Sequence, residues 1–263
     1  MITTSKLEYL TLVYDGTFDG FLTAVFYCFE KKAIPGNIIS YQKHIQALWG
    51  VSEIIKTEIV KAERVWTGLN RILHPNSPIK LFKAFLSQEH LIEMHLYKFI
   101  KTTFDHKMDP SENFSDSSIL TIEKTNKKIN KEVHRMYAFV RFKKTIDDIF
   151  YAVIEPDFDI LPLISRHFEK RYADQKWLIY DLKRSYGIYF DLITTTTVKL
   201  DTFNIEAESE EKTMSFLDLK EELYETLWKS YFNSVNIVER KNTKLQLRHM
   251  PKRYWKYLSE IKK

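Results

Sequence analysis

The spacing of the apolar residues changes near the middle of the chain, and this change limits the possible folds more than any other feature. In the first half, apolar residues recur three and four positions apart, which is typical of helices with one buried face. In the second half, they fall in short alternating runs, which are typical of strands. We therefore predict an α+β protein with a helix-rich first half.

The first half has patterns for two strands and three helices. Strands are predicted over residues 7–14 and 38–41. The first helix carries a stripe that runs from Phe18 to Phe29. A second helix is predicted from Ser52, a residue type that favours the N-cap, to Leu73, and a third over about 78–104.

The second half begins with a basic helix and continues with strands. We predict that helix over about 119–135 and another over 161–172; strands are predicted over 137–142, 150–154, 177–180, 186–190 and 194–200. Turn signals at 147–148 and 183–185 indicate hairpins. The expected sheet is an antiparallel meander packed with helices.

The chain of 263 residues is long enough for one large core. We expect a single α+β domain over 1–263, and a subdomain boundary would fall in the polar loop 105–118. An amphipathic helix is predicted over 216–231, and a final helix is predicted to begin at Pro251, since proline favours the first helical position.

Several classes of protein are excluded by what the sequence lacks. A lone cysteine, Cys28, excludes an internal disulfide, a cysteine-rich zinc site and an iron–sulfur cluster held by this chain. The common phosphate-binding and hydrolase motifs are missing, and the chain has only 6 glycines. No apolar run is long enough to span a membrane. We expect a cytoplasmic protein without a cofactor or a bound metal, and without a membrane partner.

The charges are strongly segregated, although the net charge is only +5. Residues 124–144 contain eight basic residues and one acid, and residues 240–257 contain seven basic residues and no acid. Residues 201–225 contain nine acids and two lysines. Each cluster alone could be a solvated helix face, but two basic clusters together indicate an anionic partner.

The segment from Arg248 to Tyr257 combines cations with aromatic rings. The final helix can bury one face and expose Lys252, Arg253 and Lys256; the residues predicted to face inward are Tyr254, Trp255, Leu258 and Ile261. Cations bind phosphates and exposed aromatic rings stack on bases, although a docked helix with aromatic core residues is equally consistent. The predicted nucleic-acid-binding residues are Arg141, Arg171, Arg184, Arg240, Arg248, Lys252, Arg253, Trp255 and Lys256.

Two other patterns have both a functional and a structural interpretation. Glu155 and Asp157 follow a strand directly and could hold a cation or act as an acid–base pair, whereas Asp159 is explained as the cap of the next helix. The catalytic candidates are Glu155, Asp157 and His249. The turn at residues 14–20 could hold a phosphate at a helix N-terminus, but its aspartates favour a capping role.

Segments along nearly the whole chain resemble a bacterial family of unknown function whose members are called probable DNA metabolism proteins. The resemblance lies in YDGTFDGF (14–21), HRMYAFVRF (134–142), YAVIEPDFDILP (151–162), HF (167–168), RYADQKWLIYD (171–181), VNIVERKN (235–242) and HMPKRYWKY (249–257). It is least distinct over residues 38–118.

The resemblance implies a role in DNA repair or modification beside a radical-SAM protein, and related domains are found fused to uracil-DNA-glycosylase-like domains. We therefore expect a nucleic-acid-binding accessory protein with DNA and a radical-SAM protein as partners. Two alternatives remain open, namely a nucleotide- or DNA-processing enzyme that uses its own carboxylates, and a protein-binding scaffold without DNA contact.

Overall fold

The computed structural model describes residues 10–43, 51–199, 247 and 249–258. Two compact units make up the chain, unit 1 from Met1 to Ile129 and unit 2 from Asn130 to Lys263. The expectation of one domain, with a boundary at 105–118, stays a prediction. Arg240, Arg248, the acidic segment 201–225 and the predicted helix 216–231 lie outside the described residues.

Unit 1 contains a three-stranded parallel sheet in the order β2-β1-β3. Its strands are β1 (Leu10–Tyr14), β2 (Asn37–Ser40) and β3 (Val51–Ile54), and a 3₁₀ turn follows at Tyr41–Lys43. The first two strands were predicted. The predicted N-cap at Ser52 is wrong, because Ser52 pairs with Thr11 in the sheet.

The helices of unit 1 are α1 (Phe18–Lys31), α2 (Ile59–Ile72), α3 (Ser77–Leu86) and α4 (Ile92–His106). The single helix predicted over 78–104 is in fact two helices. Gln88 and Leu91 have φ angles of 54° and 59°, and this left-handed backbone cannot continue a right-handed helix. Apolar spacing continues across the break, so the pattern alone does not reveal it.

Helix α5 (Ser117–Phe139) continues through part of a predicted strand. The strand over 137–142 is therefore wrong: residues 137–139 are helical and only the short β4 (Lys143–Lys144) follows. Ile122, Ile129 and Met136 are all buried at a spacing of seven, and this helical stripe outweighs the local alternation.

Unit 2 contains a five-stranded sheet in the order β4-β5-β6-β7-β8. Its other strands are β5 (Phe150–Ile154), β6 (Trp177–Asp181), β7 (Tyr186–Phe190) and β8 (Thr195–Val198). Helix α6 (Leu161–Arg171) connects β5 to β6. Trp177 and Phe168 are fully buried and contact each other at the centre of the core.

The predicted hairpins at 147–148 and 183–185 are confirmed by antiparallel pairing of β4 with β5 and of β6 with β7. A purely antiparallel meander is wrong, because β5 and β6 are parallel. The physical reason is the crossover helix: α6 returns the chain to the end of the sheet where β5 began, so β6 runs in the same direction.

The last described element is a 3₁₀ helix, Lys252–Tyr257, which Pro251 precedes. It replaces the predicted α-helix, and its burial follows the prediction in part: Tyr254 and Leu258 are buried, and Lys252, Arg253 and Lys256 are exposed. Trp255, which was predicted to face inward, is only half-buried, and Ile261 lies outside the described residues. No helix within the described ranges is long and apolar enough to cross a membrane.

Candidate functional site

The parallel pair in unit 2 places the carboxyl ends of β5 and β6 side by side, with Ile154 opposite Asp181. Glu155 and Asp157 follow β5, and Asp181 is the last residue of β6. Residues of α5 and of the 3₁₀ helix reach the same edge, as their contacts show. We call this group of side chains and turns the carboxylate edge. Open sheets bind ligands at such strand ends, which makes the edge the first candidate site.

Glu132 of α5 is the centre of the carboxylate edge. Its side chain is buried and its Oε1 accepts three hydrogen bonds: from the Tyr254 hydroxyl at 2.7 Å, from the Asp157 backbone N–H at 2.9 Å, and from the Arg253 guanidinium at 3.3 Å. A buried carboxylate costs free energy unless it is paired and hydrogen-bonded, and here both conditions hold. Glu132 thus joins the 3₁₀ helix to the turn after β5.

The two catalytic candidates on this edge are both ion-paired. Arg253 contacts Asp157 at 2.6 Å, and Lys256 contacts Glu155 at 2.5 Å. Partial burial alone would raise the pKa of Glu155, but the hydrogen bond from Lys256 and the charges of Lys256 and Lys183 lower it overall. A carboxyl with a lowered pKa is ionised at neutral pH, so Glu155 is poorly suited to act as a general acid.

Arg184 holds the two strand ends together. Its guanidinium donates to the Asp181 carboxylate at 2.9 Å and to the carbonyls of Pro156 and Asp157 at 3.2 and 2.9 Å. Its side chain is only 10% exposed. Burial raises the pKa of Asp181, although hydrogen bonds from Arg184 and from two turn N–H groups oppose that change. The predicted role of Arg184 in nucleic-acid binding stays a prediction, and these contacts favour a structural role.

Asp159 does not cap α6. The helix has no side-chain cap, and the Asp159 carboxylate instead accepts a hydrogen bond from the hydroxyl of Tyr186 on β7. Burial raises the pKa of Asp159 and also raises that of Tyr186. Glu132, Asp181 and Tyr186 are members of the edge that the sequence reasoning did not identify. The buried stripe of α5, which contains Glu132, was the one available signal.

The other predicted site residues that the structure describes lie at the end of α5, at the end of α6, and on or just before the 3₁₀ helix. Arg141 donates to the carbonyls of Ala138 and Val140 at the end of α5, and Arg171 lies over the Tyr172 ring. The Trp255 indole N–H donates to the Met250 carbonyl at 3.0 Å, so this N–H is already hydrogen-bonded within the protein. Lys252 and His249 are exposed.

In unit 1, the turn at residues 14–20 has a capping role. Thr17 is the N-cap of α1, and Asp15 accepts from the N–H and hydroxyl of Thr17 and from the Thr57 hydroxyl at 2.8 Å. Burial alone would raise the pKa of Asp15, but these hydrogen bonds lower it overall. A β-carbon on Gly20 would lie 2.2 Å from the Asp15 carboxylate, so any larger residue there would force that carboxylate to move.

A metal centre has no support in the described part of the chain. No three His, Cys, Asp or Glu side chains there are grouped closely enough to hold an ion. At the carboxylate edge, the positions that a cation would take beside Glu155 and Asp157 are held by Lys256 and Arg253.

Comparison with curated proteins and with solved structures yields no match. A family model does match, over residues 91–260, which is more than half of the chain and includes the whole carboxylate edge. The model is described as a domain of unknown function, DUF4130, and the chain therefore belongs to that family.

Proposed function

We propose that this protein is a nucleic-acid-binding accessory protein in DNA repair or modification that works with a radical-SAM partner. One observation carries the binding part of the proposal: exposed lysines are adjacent in sequence to two residues of the carboxylate edge and form no salt bridge with the described residues. Lys131 and Lys252 are exposed, and neither forms a salt bridge with a described residue. They are the sequence neighbours of Glu132 and Arg253, which contact each other.

The remaining cations of this border are also accessible. Lys183 is exposed, and within the described residues the one hydrogen bond of its ammonium group goes to the backbone carbonyl of Asp157, at 3.3 Å. Arg253 and Lys256 keep 40% and 56% of their side-chain surface exposed despite their ion pairs. Exposed ion pairs contribute little to stability, so a phosphate can compete for these cations. We call Lys131, Lys183, Lys252, Arg253 and Lys256 the basic rim.

The experiment measures DNA affinity as a function of salt. In Lys131→Gln/Lys183→Gln/Lys252→Gln the network around Glu132 stays intact, so the fold is kept. If all three lysines contact phosphates, the slope of log K against log salt on a duplex becomes shallower by about 2.7, since each contact contributes about 0.9. Fluorescence anisotropy of a labelled duplex gives the slope.

The matched control is Lys31→Gln/Lys56→Gln/Lys107→Gln, which makes the same charge change at exposed lysines of unit 1. We expect the control to keep the wild-type slope. An unchanged affinity and slope in the rim variant, with a normal melting temperature, would leave the scaffold function as the better explanation.

The radical-SAM partner rests on the family resemblance and needs its own test. The tagged protein is pulled down from native lysate of its source with and without nuclease, and bound proteins are identified by mass spectrometry. We expect a radical-SAM protein in both samples. Its absence from both would remove this part of the proposal and leave the DNA measurements unaffected.

A further inference from the structure

A second surface of unit 2 lies where the end of α5 meets α6. The ring of Tyr137 on α5 stacks on the ring of His167 on α6, with centroids 3.9 Å apart and planes inclined by 22°. Both side chains are partly exposed, and they have exposed neighbours in His134, Ala138 and Arg166. We call this line of contact the helix seam.

Cations dominate the residues around the helix seam. Residues 134–141 and 166–171 are all described, and they contain five arginines and lysines and one acid, Glu169. The Glu169 carboxylate accepts hydrogen bonds from the hydroxyls of Ser165 and of Thr195 on β8, so it is bound to the sheet. Arg166, Lys170 and Arg171 are exposed. Such a surface is complementary to a polyanion.

The rings at the seam can contribute to binding as neutral aromatic groups. Burial, and then the charge of Arg171, lowers the pKa of His167, so its imidazole is uncharged at neutral pH. Arg171 also lies over the Tyr172 ring, 5.7 Å from its centroid. Aromatic rings between exposed cations are the usual elements of a surface that takes unpaired bases.

We propose that the helix seam binds single-stranded DNA, with Arg166, Lys170 and Arg171 on phosphates and an unpaired base on the Tyr137–His167 ring pair. This inference rests on the proposed function and specifies the form of nucleic acid. In a duplex the base faces are covered by neighbouring base pairs, so the ring pair can add affinity only when the DNA is single-stranded.

The test compares Tyr137→Leu with Tyr137→Phe in the full chain, against a 12-nucleotide oligothymidine and a duplex of the same length. Tyr137→Leu removes the ring, and we expect single-strand affinity to fall by roughly 5- to 150-fold, the range for one stacked base. Tyr137→Phe keeps the ring and should stay within about twofold of wild type. Duplex affinity should not change in either variant.

Tyr41→Leu is the matched control, since it removes an exposed tyrosine from unit 1. Lys170→Gln/Arg171→Gln should make the single-strand salt slope shallower by about 1.4, at about 0.7 for each contact. If Tyr137→Leu fails to fold, quenching of 2-aminopurine in a bound oligonucleotide reports stacking in the wild-type protein instead.

The outcomes separate the inference from the proposed function. Equal single-strand affinity in Tyr137→Leu, Tyr137→Phe and wild type, or no quenching of 2-aminopurine, would overturn the inference alone. A wild-type protein that binds neither DNA would overturn the proposed function as well.

Discussion

Both sheets place carboxylates at the carboxyl ends of parallel strands, but the groups that stabilise these carboxylates differ between the two units. In unit 1, Asp15 after β1 accepts hydrogen bonds from the neutral groups of Thr17 and Thr57. In unit 2, Glu155 and Asp157 after β5 pair with Lys256 and Arg253.

The difference determines whether a charged ligand from solution can compete for the groups that stabilise each carboxylate. Hydrogen bonds from neutral groups fix Asp15 inside its turn, and salt screens them little. The ion pairs of unit 2 are partly exposed, so salt weakens them and another anion can replace either carboxylate. The rim of unit 2 is therefore better suited to a charged ligand, while the turn of unit 1 is a rigid structural element.

The largest effect is expected from Glu132→Ala, which tests whether the ion pairs of unit 2 depend on a buried centre. The change leaves the Tyr254 hydroxyl and the Asp157 N–H without their acceptor. We expect the free energy of unfolding to fall by about 3 kcal/mol, which is the upper end of the range for hydrogen bonds to a charged group. Urea unfolding measures it.

The control for this variant is Glu112→Ala, an exposed glutamate of unit 1, which should change stability by less than about 0.5 kcal/mol. Equal stability of the two variants would show that Glu132 is not the centre of the carboxylate edge.

A smaller effect is expected in unit 1 from Gly20→Ala, which tests the rigidity of the Asp15 turn. The new β-carbon would overlap the Asp15 carboxylate at 2.2 Å and crowd the Thr57 hydroxyl at 2.9 Å. Overpacking of this kind costs about 1–3 kcal/mol, which exceeds the gain of up to about 1 kcal/mol for alanine in a helix.

Thermal unfolding of Gly20→Ala and of Asp15→Ala/Gly20→Ala separates the two contributions. In the Asp15→Ala background there is no carboxylate to overlap, so Gly20→Ala should cost less stability there than it costs in the wild-type protein. If the losses of the two single changes simply add in the double variant, the turn adapts to the extra carbon. The Asp15 turn would then not be the rigid element that distinguishes unit 1 from unit 2.

The smallest effect is a pH dependence from Glu155, which tests whether its ion pair exists in solution. The pKa of Glu155 is lower in the folded than in the unfolded state, so the ionised group stabilises the fold above its ordinary pKa. This contribution is lost as pH falls through the folded-state pKa. Because the pair is exposed, we expect less than about 1 kcal/mol.

Glu155→Gln should therefore reduce the loss of stability between about pH 5 and pH 3, relative to wild type, in urea unfolding curves. Lys256→Gln should produce a smaller reduction of the same sign, since it removes the hydrogen-bonded partner and leaves the charge of Lys183. Identical pH profiles for all three proteins would show that the pair makes no contribution.

The sequence predicted elements whose apolar pattern agrees with their tertiary surroundings. The strand pattern of β5, β6 and β7 and the helical stripe of α1 identify these elements correctly. The prediction was wrong where a short pattern is ambiguous. The residues after Ser52 suit either a helix or a strand, and they form a strand because they pair with β1. Residues 137–139 alternate locally but complete the longer stripe of α5.

What the sequence by itself determined is the class of fold, the exposed face of the final segment and the segregation of charge, because these follow from local periodicity and composition. Only the tertiary structure decided the direction of β6 and the partners of the charged groups. Arg253 meets Glu132 across 121 positions, and Lys256 meets Glu155 across 101. Such contacts depend on how distant segments pack, and no local pattern records them.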